Sequence, residues 1–109
     1  MYNKDALISI LMPCYNSEKY VVQAIESIKN QSHTNWELLI CDDKSTDDSL
    51  NIITKFKSEK IKVYKNDNNL GYLKTCNILF KHANGKYITF QDSDDYSDEN
   101  RLSDLLNEF

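Results

Sequence analysis

Glycine is nearly missing from this chain. Its two occurrences in 109 residues, Gly71 and Gly85, lie too far apart for a G-x-G-x-x-G dinucleotide loop or a phosphate-cradling Walker loop. Any phosphate must be held by other means. Proline occurs once, at Pro13. The cysteines, Cys14, Cys41 and Cys76, are odd in number and widely spaced, which fits neither a disulfide framework nor zinc-ligand spacing. All three read as reduced structural thiols. Basic charge is not in excess either: 13 Lys and Arg against 17 Asp and Glu leave a net -4, the wrong sign for a nucleic-acid surface. Long hydrophobic runs are absent. Ala6-Leu7-Ile8 and Ile10 to Met12 fall far short of a membrane span, and no basic segment precedes them as in a signal peptide, so the expected location is cytoplasmic.

What the chain does have is an ordinary globular balance, 40% hydrophobic and 28% charged, enough for one domain with a single core. Its most informative feature is Asp92-Ser93-Asp94-Asp95, directly after the apolar stretch Tyr87-Ile88-Thr89-Phe90. Carboxylates this close repel one another, and the relief is a hard divalent cation, an opposing basic group or full hydration. Two readings therefore stand side by side: a cation site, or an exposed turn that caps the next helix. A second acidic pair, Asp42-Asp43, follows Trp36 to Cys41 in the same manner. Two strands thus deliver carboxylates at their C-terminal ends.

The apolar pattern alternates between strand and helix periods. Leu7 to Met12 reads as a buried strand ended by Pro13, and Val21, Ile25 and Ile28 predict a helix from about Glu18 to Asn30 with Ser17 as N-cap. Trp36 to Cys41 is the second strand; Ser45 or Thr46 then caps a helix with Asp47 and Asp48 in its first turn and Leu50, Ile53 and Phe56 inside. Ile61 to Tyr64, flanked by Lys60 and Lys65, alternates like a charge-protected edge strand. A third helix buries Cys76, Leu79, Phe80 and Ala83 and stops at Asn84-Gly85, and the fourth strand runs from Tyr87 to Gln91. Such βαβ units make right-handed crossovers, so the fold class is α/β: a Rossmann-like parallel sheet of order 3-2-1-4 with helices on both faces. The switch point between strands one and four predicts a crevice lined by Pro13 to Asn16, Asp42-Asp43 and Asp92 to Asp95.

The chemistry of that crevice follows from residue type. Asp94, together with Asp92, would hold Mg²⁺ or Mn²⁺ through oxygen, and the metal would neutralise a diphosphate. Asp43 could accept a hydrogen bond from the N–H of a pyrimidine edge, with Tyr15 stacked on the base. His33, His82 and Trp36 fit surface or packing roles, and Asp98 and Glu99 fit helix-dipole partners.

Ile8 to Asn16, Ser27-Ile28 to Gln31-Ser32, Trp36 to Asp47, Asn69-Leu70-Gly71 to Asn77, and Gly85 to Asp95 carry a family resemblance across nearly the whole chain. Their order and spacing resemble the nucleotide-binding half of family 2 glycosyltransferases of the GT-A fold. The resemblance implies that Asp92-Ser93-Asp94 is the DxD metal motif, with Asp92 and Asp94 on the metal and Asp92 and Ser93 beside the nucleotide. It further implies that Asp43 contacts the base next to Tyr15, and that Pro13 and Asn16 shape the pocket. The implied reaction is metal-dependent, inverting transfer of a sugar from a nucleotide diphosphate sugar, with a UDP-sugar favoured, onto a saccharide or lipid-linked acceptor in polysaccharide biosynthesis. Peripheral membrane association of the full-length protein is compatible with it.

Two departures qualify the match. Family members commonly carry arginine immediately before the asparagine at Asn77, where this chain has Cys76; Lys74 is a nearby cation but fits a solvated helix residue. The carboxylate that deprotonates the acceptor belongs to an acceptor-binding half, and no residue here is assigned to it. Leu102, Leu105, Leu106 and Phe109 follow helical spacing without a stop, so the expectation is a truncated donor-binding part spanning residues 1–109 whose last helix awaits a partner. A non-catalytic nucleotide-binding or interaction module of the same fold is the alternative. A phosphoacceptor signalling domain is more remote, since the first strand ends in Pro-Cys-Tyr-Asn rather than an acidic pair.

Overall fold

In a computed structural model, which describes residues 5–108, four strands and four helices alternate: β1 (Ile8–Cys14), α1 (Val21–Lys29), β2 (Trp36–Asp42), α2 (Ser49–Thr54), β3 (Ile61–Lys65), α3 (Tyr72–His82), β4 (Tyr87–Phe90) and α4 (Arg101–Asn107). The strands form one parallel sheet in the order β3-β2-β1-β4. That is the expected topology, with β3 at an edge.

Both central strands are buried along their whole length, so their side chains feed two cores in alternation. Ile8, Ile10, Met12, Leu38 and Ile40 pack under α1, α2 and α4, whereas Leu11, Leu39 and Cys41 meet Leu79 of α3 on the other face. Helices therefore cover both faces. Each fully buried Leu or Ile contributes about 1.5–3 kcal/mol of transfer free energy, and this double layer is the rigid base on which the loops stand.

Pro13 does not end β1 but sits within it, opposite Cys41. The carbonyl of Cys14 faces β2, accepting the Asp43 amide at 2.8 Å, and that of Leu11 faces β4, accepting Gln91 at 3.0 Å. By alternation Pro13 faces the β4 side too, beyond the last β4 partner at Phe90. Its missing N–H deprives no neighbour of a hydrogen bond.

Helix starts differ from the sequence expectation. Ser17 is not the N-cap of α1: a turn intervenes in which the Ser17 carbonyl accepts from Tyr20 and Val21, and Tyr20 holds the cap position. The Ser17 hydroxyl is engaged elsewhere, with Ser93 and the Tyr15 carbonyl. Similarly α2 begins at Ser49 after Asp48, not after Ser45 or Thr46, because Ser45 is drawn back onto Asp42. Asp47 nonetheless accepts from the Ser49 amide at 2.9 Å, doing for α2 what a capping side chain does.

Phe80 points outward, 58% exposed, and α3 is buried through Thr75, Cys76 and Leu79 instead. The fourth strand ends at Phe90, one residue short of the expected Gln91, whose side chain donates to Ser27 and the Asp95 carbonyl. Leu102 and Leu106 are buried in the α1-side core with Leu105 packed against it, so α4 finds much of its partner within the chain. Phe109 lies outside the described residues. Trp36 is core, with the Lys60 ammonium 3.8 Å from its ring centroid. His82 stacks on Tyr64 and His33 bonds the Ala6 carbonyl, both away from the crevice.

At the sheet's other end Glu37 is buried on β2 and accepts from Ser9 at 2.6 Å and from the Asn84 amide at 2.7 Å. A Cβ on Gly85 would fall 2.6 Å from the Ser9 backbone nitrogen, so only glycine lets the α3–β4 turn approach β1 this closely.

Candidate functional site

An open crevice of about 450 Å³ lies across the C-terminal ends of β1, β2 and β4. Pro13 enters from β1, Tyr15 and Ser17 from the loop after it, Asp43 from just beyond β2, Asn69, Gly71, Tyr72 and Thr75 from the approach to α3 and its first turn, and Asp92 to Asp94 from the β4 loop. The predicted switch-point crevice is therefore present. Its lining includes Asp43, Asp92 and Asp94 and, among the described residues, no Lys or Arg.

Asp43 anchors one corner. Although only 5% exposed, its carboxylate takes three N–H donors: Leu70 at 2.8 Å and Asn66 at 2.9 Å on Oδ1, and Gly71 at 2.9 Å on Oδ2. Burial alone pushes this carboxyl up, but the Leu70 amide, the Asn66 side chain and the Gly71 amide together hold it below the usual carboxylate range. The group stays ionised. Of about four acceptor positions on a carboxylate, one on Oδ2 is left beside these donors. Gly71 is held at φ 92°, a left-handed value that favours glycine, so the sequence can afford this strap only there.

The β1 loop is tied to the β2 loop. Asn16, at φ 50°, receives the Thr46 amide on Oδ1 at 2.8 Å and gives its own N–H to Ser45. Asn16 is thus outside the lining and braces it, while Pro13 and the half-exposed Tyr15 form a wall. The buried Asp42 faces away from the crevice and accepts from the Ser45 hydroxyl at 2.5 Å and its amide at 3.0 Å. Of the Asp42-Asp43 pair, only Asp43 reaches the crevice.

The other corner is built differently. Asp92, Asp94 and Asp95 are all exposed, each able to place one carboxylate oxygen within 4.8 Å of the others. Among the described residues Asp94 and Asp95 take no side-chain hydrogen bond; Asp92 takes one, from the Tyr72 hydroxyl at 3.3 Å. Three hard oxygen donors with so few hydrogen bonds fit Mg²⁺ or Mn²⁺ well. Ser93 turns inward, its hydroxyl 2.5 Å from that of Ser17, which fastens the loop to β1. Below it, Gln91, Ser97 and Ser27 bond one another, and Arg101 donates to the Phe90 carbonyl at 2.7 Å and Thr89 at 2.9 Å. The loop backbone is framed while its carboxylates are not.

Sequence reasoning missed Asn69, Tyr72 and Thr75 as crevice residues, took Ser17 for a helix cap, and left Asp95 outside the metal set. Gly71 stood in the quoted Asn69-Leu70-Gly71 motif, but nothing separates Tyr72 from the other six tyrosines in the sequence. The cysteines are free and buried as expected. Burial, reinforced by Asp42 for Cys14 and Asp43 for Cys41, pushes both thiols up to about 12, so neither is a nucleophile at neutral pH.

Known proteins share this fold. Over 90% of the chain, the structure superposes on Staphylococcus aureus TarS solved with UDP, at TM-score 0.83 and 35% identity, covering 30% of that protein; the TarS complex with UDP-GlcNAc gives 0.84. The Pyrobaculum calidifontis mannosyltransferase PcManGT, solved with GDP-Man and Mn²⁺, is 16% identical at TM-score 0.84 over 94% of the chain and 32% of its own, a likeness of fold. The sheet and helices are thus those of GT-A glycosyltransferases. In sequence the chain is 40% identical over 98 residues to Escherichia coli WfgD, named a UDP-Glc:α-D-GlcNAc-diphosphoundecaprenol β-1,3-glucosyltransferase, covering 90% of this chain and 39% of that protein. An uncharacterized glycosyltransferase of Haemophilus influenzae is 45% identical over 103 residues, covering 93% of this chain and 41% of its own length. The chain spans about two fifths of these relatives. With the model of glycosyl transferase family 2 matching residues 9–109, the chain belongs to that family.

Proposed function

We propose that residues 1–109 form the donor-binding part of a metal-dependent glycosyltransferase that moves a sugar, with inversion, from a UDP-sugar to a saccharide or lipid-linked acceptor. The observation that carries this is the convergence of Asp43, Tyr15 and the Asp92–Asp94 loop on one crevice without a lining cation among the described residues. A diphosphate placed there needs a divalent metal to offset the carboxylates.

Asp92 and Asp94 would hold Mg²⁺ or Mn²⁺, with Asp95 within reach of the same ion. The bound metal supplies charge neutralisation for the departing diphosphate. The free lone pair of Asp43 takes a base N–H, and Tyr15 offers its exposed ring for stacking. Pro13 and Asn16 keep the β1 loop in shape, and Ser93, bonded to Ser17, sets the height of the aspartates. The base that deprotonates the acceptor lies outside these residues.

A uridine donor is favoured because TarS, 35% identical, was solved with UDP and UDP-GlcNAc, and because WfgD is named for UDP-Glc. The lipid diphosphate in the WfgD name supports a lipid-linked acceptor, and with it a role in polysaccharide synthesis at the cytoplasmic face of a membrane, the full-length protein being peripherally attached. No helix among the described residues is long and apolar enough to cross a membrane.

Titration calorimetry with UDP, GDP and CDP, each with and without Mn²⁺, tests the reading. UDP should bind tightest and only with metal. Metal-independent binding, or none to any nucleotide by a folded chain, would sink it.

A further inference from the structure

Tyr72 opens α3 directly after the strap that Asp43 holds. Both N–H groups before it, from Leu70 and Gly71, are bound to the Asp43 carboxylate, so the start of the helix is fixed from β2. From that fixed point the phenol reaches over the crevice to the β4 loop and donates to Asp92 Oδ1 at 3.3 Å. The ring is 55% exposed and lines the crevice, so its burial does little for the core. The hydroxyl, by contrast, supplies the side-chain hydrogen bond that Asp92 receives in a trio whose other two carboxylates receive none among the described residues.

A carboxylate on an exposed loop rotates freely about its terminal torsion, and each free rotation adds an entropic cost to binding a cation. Holding one oxygen leaves the other aimed. We propose that Tyr72 is a positioning residue for the divalent-cation site, its hydroxyl orienting Asp92 toward the ion shared with Asp94. Two hydrogen bonds from neighbouring residues then link the base-facing carboxylate to the metal-facing one: the Gly71 amide donates to Asp43 and the Tyr72 hydroxyl to Asp92. This rests on the donor-site reading above and deepens its metal corner. Hydrogen-bonded partners of metal ligands are typically worth 10–100-fold in metal affinity.

The test is Mn²⁺ alone, titrated into wild type and Tyr72→Phe and followed by electron paramagnetic resonance, with thermal midpoints recorded for both. The variant keeps the ring and loses the hydroxyl. Affinity for Mn²⁺ should fall about tenfold while the midpoint stays unchanged. Equal affinity overturns the proposal, as does a loss matched by a drop in midpoint, which would mean packing. If wild type takes up no Mn²⁺ yet binds UDP, this proposal and the metal requirement both fall while the nucleotide crevice stands. If wild type binds neither, the donor-site reading falls with them.

Discussion

The two acidic corners of the crevice carry the same functional group in opposite states. Asp43 is buried and takes three N–H donors, whereas Asp92, Asp94 and Asp95 are exposed and share one side-chain hydrogen bond among the described residues. Asp43 already has its counter-dipoles and shapes the protein. The β4-loop trio has fewer, the Tyr72 hydroxyl on Asp92 and the Arg101 charge near Asp95, and is available to a cation. The difference teaches that carboxylates at the ends of strands in one sheet take different tasks according to the donors around them: Asp43 holds the strap with one acceptor position to spare, and the β4-loop trio is open to a cation.

The sharpest way to break this contrast is Asp43→Asn. An amide places an N–H against donors that now meet an oxygen, so the strap at Leu70 and Gly71 loses hydrogen bonds to a buried charge, at about 1.5–3 kcal/mol each when the group is charged. Stability measured by urea denaturation should drop by about 2–4 kcal/mol, and UDP binding should fall with it. The same variant should flatten the acid limb. Because the folded Asp43 carboxyl is held below its ordinary value of 3.8, its stabilisation is full above that value and is lost as pH falls through the lower folded value. Wild type should therefore lose stability faster than the variant as pH is lowered through and below the ordinary carboxylate range.

Asp94→Ala should behave in the opposite manner. With an exposed carboxylate that takes no hydrogen bond among the described residues, its removal should leave urea stability within about 0.5 kcal/mol of wild type. Calorimetry should show the affinity for UDP with Mn²⁺ reduced at least about tenfold, about 1.4 kcal/mol. A variant that lost stability instead would place Asp94 in the same class as Asp43. The Tyr72→Phe change is the smallest of the set, since it removes one hydroxyl and leaves the ring and every carboxylate in place.

The topology was legible because it rests on residues whose burial is unambiguous. Leu38 to Ile40 is a continuous apolar run, Ile8 to Met12 is one broken only by Ser9, and the lysines around Ile61 to Tyr64 mark an edge. Asp43 and the Asp92–Asp95 run were legible as well, because acidic clusters after apolar strands are hard to place elsewhere. What escaped were features decided by tertiary partners. Ser17 has every local property of an N-cap, yet Ser93, 76 residues away, takes its hydroxyl. Phe80 has helical spacing with Cys76 and Ala83, but α3 is buried through Thr75, Cys76 and Leu79 and its outer stripe stays in solvent. Tyr72 gave no signal, because a polar tip crossing from one loop to another has no periodicity. The Glu37 site hid for the same reason, a charge in a strand whose partners, Ser9 and Asn84, come from other elements.

Nitrogen-15 NMR of the labelled chain, with UDP and substoichiometric Mn²⁺, tests the division of the crevice most directly. Paramagnetic broadening should begin at the amides of Asp92 to Asp95 and Tyr72. With Mg²⁺ in place of Mn²⁺, UDP should shift the amides of Leu70 and Gly71 that report on Asp43. Broadening that begins at other carboxylates, such as Asp47-Asp48 or Asp98-Glu99, would contradict the account.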